Sequence, residues 1–393
     1  MESQFFPQPS IPLSPILGKA INETLAEKHQ FSILDAKYKC FITSGRSAIA
    51  LALEQIGVTQ NDEVLIPAYH CEAMVAPIKW IGAKPVFFKI EEDTTINLLD
   101  VEEKITSNTK AIIVTHYFGF TQSLLKIKEI CGLHKISIIE DCAHAFFGVC
   151  DNQAVGTNGD YAIASCMKFF PVYDGGCLSS NSKNINDIQL TPPSMIFQVK
   201  ALINILEKSV AYKRLGIFGH LLSSCLTATT WLWSRLKKIK GNEQVNIGPS
   251  SSEGGYELDV NWINKTISLP SKFIIRTANL SEVVYLRRQN YLKLHARLAT
   301  LPGCNPLYKQ LPDHVVPWVY PLYVDQPEKY FSKLKMEGVP MWRFGEYLDA
   351  EVTEEICPVS INYSRHIFQF PCHQSLKNQE IEWMIEKITQ IID

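Results

Sequence analysis

The order of apolar and polar positions divides the chain into two different halves. Between residues 40 and 180, short apolar runs alternate with segments whose apolar residues recur at helical spacing, such as 47–56 and 124–134. Continuous apolar strands separated by helices are typical of a largely parallel sheet that is covered on both faces. The pattern predicts strands at 41–43, 63–67, 85–88, 110–114, 136–139 and 161–164.

Beyond residue 180 the pattern changes twice. Segment 190–241 is apolar at helical spacing over long stretches, and a loop rich in Gly, Ser and Asn follows at 241–255. We therefore predict a large domain over 1–245, with a helical insert at about 190–241, and a smaller C-terminal α/β domain over 258–393. The smaller domain is predicted to contain helices at 280–301, 327–338 and 378–392 and a strand at 315–324.

The composition is that of an ordinary globular protein, and it argues against several functional classes. A formal net charge of -2 over 393 residues gives no reason to expect a nucleic-acid partner. The eleven cysteines form no CxxC pair and no Cys/His cluster at zinc spacing, so we expect no metal site and a reducing, cytoplasmic compartment. Residues 1–17 lack a basic region followed by an apolar run, so we expect no signal peptide.

The insert is unusually basic. Between residues 195 and 241 there are eight Lys or Arg residues and one acid. The stretch 215–233 is nearly long enough to span a bilayer, but six of its residues are Ser, Thr or His, so we do not expect a span. One hypothesis is peripheral contact of 195–240 with an anionic membrane, with Trp231 and Trp233 at the interface. The other is that these helices cover a neighbouring subunit or roof the active site while the lysines are solvated.

A lysine follows the last strand predicted in the first half of the chain. Lys168 lies three residues after Ser165 and shortly before Gly175 and Gly176. Ligands of parallel sheets bind at the carboxyl ends of strands. Burial there would lower the pKa of a lysine and make its neutral amine available for Schiff-base chemistry. A surface lysine followed by a turn is the alternative, and this segment alone does not separate the two.

A carboxylate and a histidine lie at the end of another predicted strand. Asp141 follows the apolar run 136–139, and a carboxylate at that edge can bond the protonated pyridine nitrogen of pyridoxal 5'-phosphate (PLP). The alternative is that Glu140 or Asp141 caps the next helix. His144 is a candidate for contact with the same ring, and a core histidine is the alternative.

A glycine turn joins the first predicted strand to the first predicted helix. Gly45, Arg46 and Ser47 lie in this turn, where free backbone N–H groups and the helix dipole would bind an anion. The alternative is that Ser44 or Ser47 is a simple helix cap. After the second predicted strand, Tyr69 and His70 are candidates for stacking on a flat cofactor, although packing alone would also explain them.

These four patches follow one another along the chain as a phosphate loop, an aromatic patch, a carboxylate and a lysine, each at the end of its own strand. Their order and spacing resemble the DegT/StrS family of PLP-dependent sugar aminotransferases, within fold type I. The resemblance runs through most of the chain. It includes the segments 57–67, 82–86, 110–116, 140–141, 156–160, 287–291, 338–340 and 370–374.

The resemblance implies an α/β fold like that of aspartate aminotransferase, with a mostly parallel sheet in the large domain. Lys168 falls where the family has its Schiff-base lysine. Asp141 matches the partner of the pyridine nitrogen, and His144 matches a residue beside the cofactor ring. The resemblance also implies that the cofactor phosphate is held at Gly45, Arg46, Ser47 and Ser165.

The activity implied is transfer of an amino group from glutamate or glutamine to a keto-sugar, expected to be nucleotide-linked, in a homodimer. Three features depart from the family. Residues 173–176 are Tyr-Asp-Gly-Gly where the family usually has Gly-Glu-Gly-Gly. The family's stacking aromatic aligns nearest Cys71, which leaves Tyr69 or His70 for that role, and no clear Gly-Tyr-Asn-x-Arg segment occurs near residue 255. Two alternatives stay open: a PLP enzyme with a non-sugar keto substrate, and a catalytically silent PLP-binding regulatory paralogue.

Overall fold

A seven-stranded sheet forms the centre of the first half of the molecule. The computed structural model describes residues 6–18, 29–216, 219, 249–253, 255 and 257–393. A separate two-stranded hairpin, formed by β6 (Val149–Cys150) and β7 (Gln153–Ala154), lies outside this sheet and between β5 and β8 in the sequence. The strands of the large sheet are β1 (Tyr38–Ile42), β2 (Glu63–Pro67), β3 (Lys84–Phe88), β4 (Thr109–Thr115), β5 (Ser137–Asp141), β8 (Tyr161–Ser165) and β9 (Gly176–Ser180).

The strand order across this sheet is β1-β9-β8-β5-β4-β2-β3. The strands β8, β5, β4, β2 and β3 are parallel to their neighbours in this series, whereas β9 is antiparallel to both β1 and β8. The predicted, largely parallel sheet is confirmed, and all six predicted strands are present. The sequence pattern does not predict β9, since Gly-Cys-Leu-Ser-Ser carries little of the apolar signal of a buried strand.

Helices cover both faces of the sheet. Successive residues of β4 belong to opposite cores: Ile113 packs in the cluster that contains Leu53, and Ile112 packs in the cluster that contains Ile127. This alternation follows from the two-residue period of a strand, and it requires apolar residues on both faces. The helices of this half are α1 (Gly45–Ile56), α2 (Glu72–Trp80), α3 (Leu98–Lys104), α4 (Leu125–His134) and α5 (Met195–Ala211).

The ends of α1 are defined by two local signals. Ser44 is the N-cap, and its Oγ accepts a hydrogen bond from the N–H of Ser47 at 3.2 Å. At the other end Gly57 adopts φ +78°, a left-handed conformation that favours glycine and stops the helix. The predicted helices at 47–56 and 124–134 are therefore confirmed, with ends that differ by two residues or fewer.

A second, antiparallel sheet organises the C-terminal part, and its core is separate. Ile11 joins this core, and His373 Nε2 pairs with the carbonyl of Pro12 at 2.9 Å, so the N-terminal segment packs against this part. The proposed domain boundary stays a prediction. The elements are α6 (Leu269–Thr277), α7 (Leu280–Leu298), β10 (Cys304–Pro306), β11 (Val319–Val324), α8 (Pro327–Met336), α9 (Pro358–His366), β12 (Ile367–Pro371) and α10 (Asn378–Ile392).

The basic insert is described only in part. The helical insert predicted at about 190–241 is present in its first part as α5, whose buried face includes Phe197, Ala201 and Ile205. Most of 215–233, with Trp231 and Trp233, lies outside the described residues. Within the ranges that the structure does describe, no helix combines the length and apolar character needed to cross a bilayer.

Candidate active site

The carboxyl ends of β5 and β8 and the start of α1 surround one cavity of about 410 Å³. Such a cavity is expected at the strand ends of a parallel sheet, where loops lead into helices. Three of the predicted residues, Ser47, Tyr69 and His70, do not line it. The predicted residues that do line it are Gly45, Arg46, Asp141, His144, Ser165 and Lys168.

Lys168 ends a single 3₁₀ turn, Cys166–Lys168, that follows β8 directly. Its amine lies over the indole ring of Trp318, with Nζ 4.5 Å from the ring centroid. The side chain is only partly exposed and lines the cavity, and burial lowers the pKa of Lys168, partly offset by the neighbouring Cys71 and Asp141. The alternative of an ordinary surface lysine therefore does not apply.

A buried arginine fixes the backbone around this lysine. Arg287 donates from Nη2 to the carbonyl of Lys168 at 2.8 Å and from Nη1 to the carbonyl of Trp318 at 3.1 Å. Its Nε donates to Oε1 of Gln374 at 3.0 Å. Arg287 is completely buried, and burial lowers its pKa to about 10. The Arg287 guanidinium thus links the turn that carries Lys168 to Trp318, whose indole ring contacts the Lys168 amine.

Asp141 is the last residue of β5, with only 2% of its surface exposed. Oδ1 accepts a hydrogen bond from the N–H of Ala143 at 2.8 Å, so the carboxylate closes a turn and does not cap a helix. Burial raises the pKa of Asp141, while the Ala143 N–H and the charge of Lys168 act in the opposite direction. Because β5 and β8 are neighbouring strands, Asp141 and Lys168 line the same cavity.

The adjacent carboxylate, Glu140, has a different role. It accepts hydrogen bonds from His116 Nε2 at 2.9 Å and from the backbone N–H groups of Gly156, Asn158 and Gly159 at 2.7, 3.0 and 3.1 Å. Burial alone would raise the pKa of Glu140, but these hydrogen bonds lower it. Glu140 therefore holds the 156–159 turn at the end of β5 by hydrogen bonds. This contact explains why segments 140–141 and 156–160 occur together among the family-like segments of the sequence.

His144 combines the two roles considered for it. It is buried in an aromatic cluster, stacked on Trp318 at 4.0 Å between centroids and edge-on to Phe344 at 4.7 Å, and it also lines the cavity. Burial and the charge of Lys168 lower its pKa well below the ordinary value, which favours the neutral form of the ring. Nδ1 is buried and has no hydrogen-bond partner among the described residues.

The start of α1 forms the other end of the cavity. The N–H of Ser47 is occupied by the Ser44 cap, whereas Gly45 and Arg46 line the cavity. The guanidinium of Arg46 donates to the carbonyls of Gly255 and Glu257, at 2.6 Å in each case. Gly255, at the end of the loop predicted at 241–255, and Glu257 therefore lie beside this end of the site.

A glycine allows β9 to approach this end. A Cβ on Gly176 would lie 2.2 Å from the carbonyl oxygen of Ser44, which no side chain could accept. Paired glycines such as Gly175 and Gly176 can bring backbone close to a ligand. At Gly176 the close neighbour is instead the turn that begins α1, so this glycine positions the turn and acts on a ligand only indirectly.

The aromatic patch occupies a different place from the one expected. His70 pairs Nδ1 with the carbonyl of Ala68 at 2.9 Å, accepts the N–H of Asp349 on Nε2 at 3.0 Å and stacks on Phe87. Tyr69 is fully buried behind the cavity, so packing explains both residues. The residue of this segment that lines the cavity is Cys71, and Trp318 supplies the aromatic surface that faces Lys168.

The residues present fit a phosphorylated aromatic ring such as PLP. A helix N-terminus with Gly45 and Arg46 suits an anion, and a carboxylate at Asp141 suits a protonated ring nitrogen. The Lys168 amine suits a carbonyl carbon. The unsatisfied Nδ1 of His144 would gain a partner from a ring hydroxyl, which removes the cost of a buried polar atom without a hydrogen bond.

Comparison with known proteins agrees with this geometry. Residues 20–198 match the model of the DegT/DnrJ/EryC1/StrS aminotransferase family. GDP-perosamine synthase of Vibrio cholerae is 35% identical over 173 residues, which cover 43% of this chain and 47% of that protein. L-glutamine:2-deoxy-scyllo-inosose aminotransferase of Streptomyces kanamyceticus is 39% identical over 118 residues, which cover 30% and 28%. The chain thus spans about half the length, or less, of these relatives.

Solved structures show the same fold over nearly the whole chain. The crystal structure of a DegT DnrJ EryC1 StrS aminotransferase from Brucella abortus superposes with a TM-score of 0.61 at 18% identity, covering 91% of this chain and 87% of that one. At this level of identity the similarity shows the fold alone. The fold predicted from the sequence, that of PLP-dependent aminotransferases of type I, is confirmed.

Proposed function

We propose that this chain, whose residues 20–198 match the model of the DegT/DnrJ/EryC1/StrS aminotransferase family, is a member of that family and a PLP-dependent aminotransferase that converts a keto-sugar into an amino-sugar. The observation that carries the proposal is that the Lys168 and Asp141 side chains line one cavity at the ends of neighbouring strands. This is the pair of groups that such chemistry requires on the protein side.

In this proposal Gly45, Arg46 and Ser165 hold the phosphate of the cofactor. Asp141 would hold a proton on the ring nitrogen, His144 would lie beside the ring, and Lys168 would hold the cofactor through its amine. When bound, PLP supplies an electron sink for the carbanion that forms when a proton leaves the substrate.

Lys168 then moves the proton. Its lowered pKa increases the fraction of neutral amine, which could accept a proton from the Cα of the amino donor. The face of Trp318 stabilises the protonated form that results. Burial and the indole act in opposite directions, which suits a group that must take up a proton and give it back.

Asp141 has the complementary task. Because burial raises its pKa, its carboxylate is a stronger proton acceptor than an exposed aspartate. It would therefore hold a ring N–H firmly throughout the reaction. The Ala143 N–H fixes one carboxylate oxygen, so the side chain is oriented before any ligand binds.

We further propose glutamate or glutamine as the amino donor, a nucleotide-linked sugar as the acceptor and a homodimer as the functional unit in the cytoplasm. The name of GDP-perosamine synthase supports a nucleotide-linked acceptor, and the name of the Streptomyces kanamyceticus relative supports glutamine. The name of the Streptomyces kanamyceticus relative mentions no nucleotide, so the alternative is an acceptor that is not nucleotide-linked. Free cysteines in the described ranges are consistent with a reducing compartment.

The test is the absorbance spectrum of the purified protein with PLP, before and after the addition of glutamate or glutamine. Wild type is expected to show a band near the visible edge that fades with the donor, whereas Lys168→Ala is expected to lack it. Lys333→Ala, an exposed lysine of α8, is the matched control and is expected to behave like wild type. A band that persists without Lys168 would contradict the assignment.

A further inference from the structure

The outer face of α5 is apolar, although much of it is exposed. The inner face packs in a small core around Phe197. On the opposite face four apolar residues are 48–74% exposed: Met195, Ile196, Val199 and Leu202. Ile203, Leu206 and Val210 continue this stripe and are half-buried. A surface helix normally carries polar residues on its solvent side, and a helix that is apolar all round is normally covered. The outer face of α5 therefore indicates a binding surface.

Helix α6 continues this surface. The backbone N–H of Leu269, its first residue, donates to Oε1 of Gln198 on α5 at 2.7 Å, so the two helices are in contact. Leu269 and Phe273 are 65% and 68% exposed and lie one turn apart. Lys272 and Arg276 lie on the same side of α6, and the sequence of this helix contains no acid. The α6 part of the surface thus combines exposed apolar side chains with positive charge.

A groove of about 1300 Å³ adjoins both helices. Leu202 of α5 and Phe273 of α6 both line it, so their exposed side chains surround one space. The charged residues among its described lining residues are four bases and one acid: Lys213, Arg214, Lys293, Lys377 and Glu282. Arg214 is paired with Glu380 at 2.6 Å, and an excess of positive charge remains when this pair is set aside. The groove therefore favours an anionic partner with apolar parts.

The sequence that follows α5 has the same character as this face. Segment 215–233 is largely apolar and includes Trp231 and Trp233, and segment 235–240 contains four bases and no acid. Apolar residues with Trp beside a cluster of Lys and Arg are typical of segments that lie on anionic membranes. Most of this sequence lies outside the described residues, so the surface consists here of α5 and α6 alone.

The inner side of α5 faces a different region. Lys208 lies on the opposite side of the helix from Val199, and it lines the cavity that contains Lys168. The two roles considered for the basic insert, a roof over the active site and a contact with a membrane, therefore fall on opposite sides of one helix. A ligand in the cavity and a surface outside the molecule can contact α5 at the same time.

We propose that the outer faces of α5 and α6 dock on an anionic phospholipid membrane. The exposed apolar side chains enter the boundary between headgroups and acyl chains, while Lys272 and Arg276 contact the lipid phosphates. A bilayer offers both kinds of contact, because its headgroups are negative and its interior is apolar. A second copy of this chain fits less well, since a two-fold contact would bring this basic face against itself. The inference does not depend on the proposed reaction.

The test is flotation of the full-length protein with vesicles of phosphatidylcholine, with and without phosphatidylglycerol. Wild type should float only with the anionic vesicles, and less so at high salt. Val199→Glu and Phe273→Glu should each weaken binding by about tenfold or more, because each loses apolar insertion and adds a negative charge. Arg276→Gln should weaken it by about fivefold, the effect of one basic residue at an anionic surface. Leu133→Glu, at an 84% exposed leucine of α4, is the matched control and should float like wild type.

Three results would overturn the inference. The first is a wild type that stays at the bottom with anionic vesicles, and the second is flotation of Val199→Glu and Phe273→Glu equal to that of wild type. The third concerns the alternative occupant, a second copy of the chain, and is measured by light scattering without vesicles. If the two glutamate variants turn a dimer into a monomer, this face is a subunit interface. Thermal unfolding midpoints equal to that of wild type show that the variants fold, and the absorbance test of the proposed function is read separately.

Discussion

The two walls of the cavity are built in different ways. The inner wall, consisting of Gly45, Arg46, Asp141, Ser165 and Lys168, lies at the ends of β1, β5 and β8. The outer wall, consisting of Lys208, Trp318 and Lys335, lies on α5, before β11 and on α8. Neighbouring strands fix the first set. In the second set, α5 carries Lys208, and the packing of the C-terminal part against the sheet positions Trp318 and Lys335.

This difference separates the residues proposed to carry out the reaction from those proposed to select the acceptor. Groups that must keep a fixed geometry during a reaction are carried by strand ends and held by backbone hydrogen bonds, as Asp141 is by Ala143. Under the proposed function, the groups that would recognise the acceptor lie on elements that can vary without disturbing the sheet. Arg287 joins the two walls, since it bonds the carbonyls of both Lys168 and Trp318.

The largest effect is expected from Asp141→Asn, on the inner wall. The amide cannot take up the proton that the carboxylate would hold, so the rate of the donor half-reaction should fall by about 100-fold or more. Stopped-flow absorbance with glutamate or glutamine measures it. Asp160→Asn is the matched control, because Asp160 lies outside the cavity, where it accepts the N–H of Ile138 at 2.9 Å and pairs with Lys183 at 4.0 Å. Equal rates in the two variants would contradict the role of Asp141.

The neighbouring carboxylate should affect stability and not chemistry. Glu140→Gln loses charge-assisted hydrogen bonds from His116 and three backbone N–H groups, so the free energy of unfolding should fall by roughly 3 kcal/mol. The folded pKa of Glu140 lies below its ordinary value of 4.5, so its stabilisation is present at neutral pH and disappears as the pH falls below 4.5. Denaturant titrations should therefore show a weaker acid dependence in Glu140→Gln than in wild type.

Trp318, on the outer wall, should change the pKa of Lys168 but should not take over its role in the reaction. Trp318→Leu removes the ring beneath the Lys168 amine, which destabilises its protonated form and lowers its pKa. The rate at which PLP is captured should then rise at lower pH than in wild type, with a rate change below about tenfold at a given pH. Trp318→Phe should retain most of the wild-type profile. A shift to higher pH would contradict the contact.

The smallest effect is expected at the helix caps. Ser44→Ala and Ser194→Ala each remove a cap hydrogen bond, to the N–H groups of Ser47 and Phe197, and each should cost about 1 kcal/mol of stability. Only Ser44→Ala should also weaken PLP affinity, because α1 begins at the cavity and α5 begins away from it. Equal PLP affinities in the two variants would mean that the Ser44 cap does not contribute to PLP binding at the start of α1, which would contradict the prediction.

The sequence predicts the inner wall because its signals are local. Asp141 and Lys168 each follow a continuous apolar strand, and parallel topology brings such strand ends together. The outer wall carries no comparable signal. Lys208 is one of several lysines in a basic helix, and nothing near Trp318 or Lys335 indicates which face of the C-terminal part packs against the sheet.

The aromatic patch shows a finer limit. Tyr69, His70 and Cys71 are consecutive, and the sequence favours the two aromatic residues as cofactor contacts. The structure turns Cys71 toward the cavity and buries the other two elsewhere. A shift of one residue in register reverses which side chain faces a site, and the pattern after a strand does not fix that register.

The most direct test of the proposed chemistry is to reduce the PLP-loaded protein with borohydride and to locate the label by peptide mass spectrometry. Lys168 should carry the phosphopyridoxyl group in nearly every labelled molecule, because it is the lysine that shares the inner wall with Asp141. Lys208 and Lys335 should remain unlabelled. A label on either outer-wall lysine, or no label on Lys168, would contradict the assignment of the active site.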